Sequence, residues 1–418
     1  MANTPEAGAN DYRFRLRDGL LGAQMLFVAF GSLVLVPLLT GLDPNVALFT
    51  AGLGTLVFQV VTRGRVPVFL GSSFAFIAPI LYGVETWGIP GTLCGLIAAG
   101  LVYIALSLVI RWRGVGVVTR LLPPIVTGPV IMVIGLVLAP VAVNLATGHN
   151  GDGSVVRVAE PLALVAAGVS LAVTVAVSLL GRGFLSLVPI LCGVLAGYLV
   201  SLPLGLVDLA AIAEAPWFAA PEFVAPSWNG QAVLYMIPVA IAPAIEHFGD
   251  IIAIRSVTGR DYLKDPGVDR TMLGDGLATS LAGFMGGPPN TTYSEVTGAV
   301  TLTRAFNPAL MTWAAGFAIA FAFVGKLGAL LASIPTPVMG GIIVLLFGAI
   351  VVVGMNSLMR SGEDLTEPRN LAVVGLVLIT GIGGLSFSAG DFTLEGIALA
   401  GVLGVVLNLV LPQTRRGD

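Results

Sequence analysis

The sequence predicts an all-α polytopic membrane protein. Its fourteen transmembrane segments form two inverted seven-span repeats, with spans 3 and 10 each broken into a short extended strand plus a half-helix. Three observations lead there. Of 418 residues, 56% are hydrophobic and only 10% charged, whereas soluble domains carry about 25% charge. The apolar residues fall into separate runs, most near the ~20 residues that a spanning helix needs. Four acids, Glu246, Asp250, Asp275 and Glu295, lie in or at the start of apolar stretches that contain no Lys or Arg. A carboxylate at bilayer depth costs roughly 2.5–3.5 kcal/mol on insertion scales, so intramembrane acids mark function by default.

The runs fall near residues 19–40, 45–62, 67–83, 89–110, 121–145, 160–180, 183–204, 231–254, 271–286, 289–303, 309–330, 335–355, 370–384 and 394–412. Those at 67–83 and 289–303 are too short to cross alone and are rich in Gly, Pro, Ser and Thr. Paired short segments of this kind point to a carrier's binding site. The high counts of Gly (54) and Pro (26) fit close helix packing and broken helices. With a cytoplasmic N-terminus, 18 of the 20 Lys and Arg residues fall inside, Arg415 and Arg416 among them, and only Arg157 and Lys326 outside. That asymmetry sets both termini in the cytoplasm. The segment from Gly205 to Gly230 is then external, with Trp217, Phe218 and Trp228 at the interface. The polar stretch Met1–Asp11 predicts no removable signal peptide. Cys94 and Cys192 lie in apolar runs and read as core filling, and a net charge of −3 without a basic face gives no reason to expect nucleic acid.

Markers recur between the halves. Leu122-Pro123-Pro124-Ile125-Val126-Thr127-Gly128 resembles Ile334-Pro335-Thr336-Pro337-Val338-Met339-Gly340, about 212 residues later. The segment around Ser72-Ser73-Phe74 precedes that around Tyr293-Ser294-Glu295 by about 221, and Gln24 precedes Glu246 by 222. Seven spans per half is an odd number, so the second copy enters upside down. Such repeats place a substrate near the midplane at their interface.

Within Ile245-Glu246-His247-Phe248-Gly249-Asp250, the acids are i and i+4 on one helix face. Two carboxylates that close resist being charged together, which suits a proton carrier. His247 points about 100° away and reads as a structural hydrogen-bonding residue. The run Gly286-Gly287-Pro288-Pro289 cannot continue a helix, and Asn290-Thr291-Thr292-Tyr293 favours extended backbone. A helix then restarts with Ser294 as its cap, its free N–H groups ready for a ligand carbonyl, with Glu295 beside them. Leu70-Gly71-Ser72-Ser73-Phe74 supplies the counterpart. Asp275 either ties the broken elements together or relays protons. Carboxylate acceptors, backbone donors and a Phe wall together suit a small, flat, neutral heterocycle such as one with a uracil-like edge. They give no metal site, no catalytic residue and no cofactor. A facilitator or anion carrier, or an intramembrane hydrolase using Asp250 and Asp275 as a dyad, are rival readings from other classes.

At these residues the chain resembles the nucleobase–cation symporter family, which includes uracil and xanthine permeases and the nucleobase–ascorbate transporters. The likeness is densest at Phe30-Gly31 through Val36-Pro37, Gly71-Ser72-Ser73-Phe74-Ala75-Phe76, Glu246-His247, Pro289-Asn290-Thr291-Thr292-Tyr293 and Ile334–Gly341, and it spans nearly the whole chain. A family motif of acid or amide, Asn-x-Gly, four residues and Thr-Arg matches at Glu295, Gly298, Thr303 and Arg304, with Val296 in place of Asn. The resemblance implies a core domain (residues 1–120, spans 1–4, and 231–333, spans 8–11). It implies a gate domain (121–230, spans 5–7, and 334–418, spans 12–14). It implies that Glu246, Glu295 and the backbone at Phe74 and Ser294 bond a nucleobase, and that Ser32, Tyr293 and Phe347 line the pocket. Proton coupling would then run through Glu246, Asp250, Asp275 and Glu295, with the proton as coupling ion, in a homodimer embedded in lipid. Asp250 stands where the uracil permease has His, and Met25 replaces a His on span 1, whereas Glu295 is of the uracil type. Uracil is thus expected ahead of xanthine or another oxidised purine, across the inner (plasma) membrane.

Overall fold

The computed structural model describes residues 11–114, 116, 120, 122–389 and 392–412. Arg415 and Arg416, and with them the C-terminal sidedness expectation, lie outside the described residues. The chain opens with α1 (Gly19–Thr40) and α2 (Pro44–Val61), then a strand β1 (Leu70–Ser72), one 3-10 turn (Phe74–Phe76) and α3 (Ile77–Arg113). There follow α4 (Pro124–Val137), α5 (Ala139–Ala146), α6 (Glu160–Leu180), α7 (Pro189–Ser201) and a short α8 (Leu209–Glu214). Next come α9 (Gly230–Val239), α10 (Ile241–Thr258), α11 (Val268–Met285), β2 (Asn290–Thr292) and α12 (Ser294–Thr303). The chain continues through α13 (Ala309–Ala322), α14 (Gly325–Ala332), α15 (Thr336–Ser361) and α16 (Pro368–Ile382). It closes with a hairpin, β3 (Ser386–Ala389) and β4 (Phe392–Glu395), and α17 (Gly396–Val410).

Among the described residues, six helical stretches are long and apolar enough to cross a bilayer, and five apolar helices are shorter. The shortfall has local causes. The expected run at 231–254 is two helices that meet at Ala240, whereas that at 121–145 stays one apolar stretch although its helix is interrupted at Leu138. Conversely, residues 74–113 form one apolar stretch of 40 residues. Gly88 breaks it with φ 70 and ψ 171, in the left-handed half of the map that only glycine enters freely. A Cβ on Gly83 would lie 2.8 Å from Thr92, although residues nine apart on a straight helix are about 13.5 Å apart. The chain therefore doubles back at Gly88, where hydropathy separates spans 3 and 4. The β3–β4 hairpin is a departure from the expected all-α fold, lying mostly between the runs read at 370–384 and 394–412.

The helices pack in two groups. In one, α11 lies on α2 and α3, α13 on α1 and α2, and α9 on α3. In the other, α15 lies on α4, α5 and α6, α6 on α7, and α16 and α17 on α4 and on each other. The groups touch where α1 meets α7, α9 meets α17 and α10 meets α4. Small residues set these approaches, since without a hydrophobic drive between helices in lipid, close backbone packing supplies much of the attraction. A Cβ at Gly52 of α2 would stand 2.6 Å from the Ala315 carbonyl oxygen of α13.

Between the helices of the first group lie β1 and β2, paired antiparallel with Leu70 opposite Thr292, Gly71 opposite Thr291 and Ser72 opposite Asn290. Irregular backbone at membrane depth is tolerated only when protein satisfies its polar groups, and here named side chains do so. The Leu70 N–H donates to Thr55 Oγ1 at 2.9 Å, and Thr279 Oγ1 donates to the Asn290 carbonyl at 2.7 Å. Asn290 Nδ2 donates to the Thr50 carbonyl at 2.9 Å. Pro37 within α1 has no N–H for the Leu33 carbonyl, and Ser72 Oγ donates to that carbonyl at 3.0 Å instead. One missing donor thus ties β1 to α1.

Candidate functional site

Beyond each strand a helix begins, so the strand pair sets two helix starts side by side. Helix starts leave N–H groups without intrahelical partners and carry partial positive charge. Phe74 opens the turn after β1, and Ser294 is the first residue of α12. Tyr293, extended at φ −106 and ψ 114, holds the N-cap position expected for Ser294. The extended run reaches one residue further than the sequence suggests, because the Tyr293 N–H donates to the Phe69 carbonyl at 3.2 Å. The Tyr293 hydroxyl reaches across to donate to the Ser72 carbonyl at 2.7 Å. Its ring lies nearly parallel to that of Phe74, at 10° with centroids 6.4 Å apart. Gly71 makes room for it, since a Cβ there would stand 2.5 Å from Tyr293 Cζ.

The acids of α10, α11 and α12 gather beside this platform. Glu246 on α10 is accessible, while His247 and Asp250 on the same helix are buried. It interacts electrostatically with Asp250, with Glu295 in the first turn of α12, and with Asp275 of α11. Glu246 is thus an accessible carboxylate in electrostatic contact with acids on three helices. Glu295 is half-buried. Asp250 accepts a bond from Thr292 Oγ1 at 2.6 Å, which fastens β2 to α10. Asp275, two turns into α11, accepts or shares the proton of His247 Nδ1 at 2.8 Å.

The remaining predicted residues divide. Phe74 and Tyr293 stand at the strand pair. Phe347 is buried in α15 of the second helix group, where its carbonyl backs onto Gly135 of α4. The side chains of Ser32, on α1, and Ser294 lie outside the described residues. Sequence reasoning missed the Thr292–Asp250 bond and Tyr103, a buried tyrosine of α3 in electrostatic contact with Asp275 and Glu246. A lone Tyr in an otherwise apolar run was the available signal. Among the described residues no cluster of His, Cys, Asp and Glu has the makings of a metal site.

In overall fold the chain is similar to the transmembrane domain of the cyanobacterial bicarbonate transporter BicA, with TM-score 0.64 at 16% identity, covering 96% of this chain and 99% of that one. It is also similar to murine solute carrier 26 family member A9, with TM-score 0.68 at 13% identity, covering 96% and 69% respectively. Apolar helices wrapped around a discontinuous polar centre mark an integral multi-pass membrane protein. A family model described as "Permease family" (Xan_ur_permease) matches residues 19–389. The chain is 52% identical over 415 residues to a probable uracil permease of Haemophilus influenzae, covering 99% of each. It is 46% identical over 403 residues to a uracil permease of Bacillus caldolyticus, covering 94% and 91%, and 38% identical over 390 residues to that of Escherichia coli, covering 93% and 90%. The chain belongs to the xanthine–uracil permease family, that of the nucleobase–ascorbate transporters, and is a transporter, not an enzyme.

Proposed function

We propose that the protein is a proton-coupled symporter that imports a nucleobase, uracil first, across the inner (plasma) membrane by alternating access. The observation that carries this reading is the meeting of Glu246 and Glu295, in electrostatic contact, beside two helix starts joined by the β1–β2 pair. A uracil ring has N–H groups for the two carboxylates and carbonyls for the free N–H groups at Phe74 and Ser294. Its flat face suits the parallel rings of Phe74 and Tyr293. An anion meets two acids here, which argues against an anion carrier despite the shared fold. The relatives named uracil permeases favour the pyrimidine. Asp250, where the uracil permease has His, keeps xanthine or urate as the second reading.

In this reading the chain crosses the membrane fourteen times as two inverted repeats, with both termini in the cytoplasm. The first helix group is the core domain (1–120 and 231–333) and the second the gate domain (121–230 and 334–418). The sparse contact between the groups, against dense packing within each, supports core-against-gate movement hinged at Pro123-Pro124 and Pro335-Thr336-Pro337. Lipid surrounds a homodimer, and the proton, without a cofactor, is the coupling ion. Protonation among Glu246, Asp250, Asp275 and Glu295 on the outer side favours binding, and proton and base leave inside.

Binding selectivity tests the substrate. Titration calorimetry of the purified protein should give saturable heat with uracil and at least tenfold weaker binding of xanthine, hypoxanthine and urate. Tighter binding of xanthine than of uracil would install the second reading, and no binding of any base would remove both.

A further inference from the structure

Behind the accessible Glu246 lies a buried chain of three side chains. His247 Nδ1 stands 2.8 Å from Asp275 Oδ2, and His247 Nε2 stands 2.9 Å from Thr271 Oγ1. Thr271 Oγ1 is also 3.1 Å from the Val268 carbonyl one turn back on α11. All three side chains are at most 1% exposed. A hydroxyl has one hydrogen and two lone pairs, a neutral imidazole one donor and one acceptor, and an imidazolium two donors. Counting those donors leaves two fully bonded arrangements. In the first, Thr271 donates to Val268, so Nε2–H must donate to Thr271, and a second proton lies between Nδ1 and Asp275. The pair is then neutral overall. In the second, Thr271 swings its hydrogen to Nε2, Nδ1–H donates to the Asp275 carboxylate, and the pair carries one negative charge. The arrangements differ by one proton and one hydroxyl rotation, and no hydrogen bond at the ring is lost in either.

We propose that His247, Asp275 and Thr271 form a proton-holding site of their own, separate from the carboxylates facing the substrate hollow. On unloading, the N–H bond at Nε2 breaks, the proton passes to solvent, and the Thr271 hydroxyl turns to fill the emptied acceptor. Buried polar groups ordinarily pay heavily for an unmatched donor or acceptor, and this geometry removes that obstacle in both states. Asp275 interacts electrostatically with Glu246 of α10 and with Tyr103 of α3, and Glu246 in turn with Asp250 and Glu295. Asp275 Oδ1 and the Tyr103 hydroxyl have no hydrogen-bond partner among the described residues. The cations of α10, α11 and the elements packed on them sit near helix ends: Lys264 in the turn before α11, Arg270 in the first turn of α11, Arg255 in the last turn of α10, and Arg111 and Arg113 in the last turn of α3. α2, α4 and β2 contain no ionisable residue, and Tyr235 of α9 stacks on Tyr82. That this site serves transport rests on the carrier reading above. That it holds a proton does not.

The chain has only two histidines, and His149 lies in the segment between α5 and α6, its ring 3.1 Å from Thr147 Oγ1. In the full-length His149→Gln protein, nitrogen-labelled histidine therefore reports His247 alone by magnetic resonance. The expected result is a ring that carries hydrogen on Nε2 at the acid end of the titration and loses it on alkalinisation, with the remaining ring hydrogen on Nδ1. Thr271→Val deprives Nε2–H of its acceptor and should lower the ratio of Nε2-protonated to Nε2-unprotonated ring roughly 10-fold at fixed pH, the scale of a hydrogen bond to a charged donor. Thr271→Ser should restore it. An Nε2 with the same protonation state at every pH, or a ratio unmoved in Thr271→Val, overturns the proposal. Uracil binding by calorimetry, run on the same His149→Gln sample, separates the two claims. Absent uracil heat with a titrating ring removes the carrier reading and leaves the proton site.

Discussion

Glu246→Ala and Glu295→Ala should each reduce uracil affinity at least a hundredfold while leaving the protein folded. Each carboxylate offers a charged acceptor to a ligand N–H, and hydrogen bonds to charged groups contribute about 1.5–3 kcal/mol each. Without the acceptor, a ligand N–H stays buried and unsatisfied in a site with little water to replace it, which adds a further penalty of about 1–3 kcal/mol. The two effects together correspond to about 2.5–6 kcal/mol, or roughly two to four decades in affinity. Neither side chain is a packing residue, since Glu246 is accessible and Glu295 half-buried, so thermal stability should hold or rise as crowded acids are thinned. Calorimetry and a melting curve on each variant check both halves of the expectation. Unchanged uracil affinity in both variants would remove the assigned site.

The second large effect is expected at Gly71. A Cβ there would stand 2.5 and 2.6 Å from Tyr293 Cζ and Cε2, inside the distance that real Cβ atoms keep. The ring cannot easily yield, because its hydroxyl is bonded to the Ser72 carbonyl and Tyr293 is only 4% exposed. Overpacking of this kind costs typically 1–3 kcal/mol. In Gly71→Ala that strain falls on the β1–β2 pair and on the Tyr293 position at the start of α12. The expected outcome is uracil binding weakened about 10- to 100-fold with most of the fold retained, and Tyr293→Phe in the same background should recover part of it by freeing the ring. Wild-type affinity in Gly71→Ala would show that Tyr293 does not shape the site.

The fold was legible from the sequence to the extent that hydropathy governs it. The two short, Gly- and Pro-rich segments read as broken do contain β1 and β2, because residues that cannot sustain a helix at membrane depth must find other partners. The turn between spans 3 and 4 falls at Gly88, where the apolar runs separate. Less legible were features set by tertiary contact. Which carbonyl lacks a donor follows from Pro37, but that Ser72 supplies it depends on how α1 and β1 meet. Helix interruptions at Leu138 and Ala240 involve apolar residues and are invisible to an average over a span. The cap of α12 fell to Tyr293 because the strand pair prolongs the extended backbone past the residue with capping chemistry.

The acids show the same division. Their presence in apolar runs identified them, and the i, i+4 spacing of Glu246 and Asp250 was read directly. Their separate environments were not. Asp250 accepts from Thr292 and Asp275 pairs with His247, whereas Glu246 stands accessible and Glu295 half-buried. A helical wheel turns His247 away from its neighbours but does not say that α11 waits there with Asp275 and Thr271.

The most direct test of proton-coupled nucleobase transport is uptake of labelled uracil into proteoliposomes with an inside-negative potential and no other energy source. One charge moved through ~100 mV is worth about 2.3 kcal/mol, so uracil should accumulate roughly 50-fold, and a protonophore should return it to equilibrium. Uptake that merely equilibrates uracil, with or without the protonophore, would contradict the account.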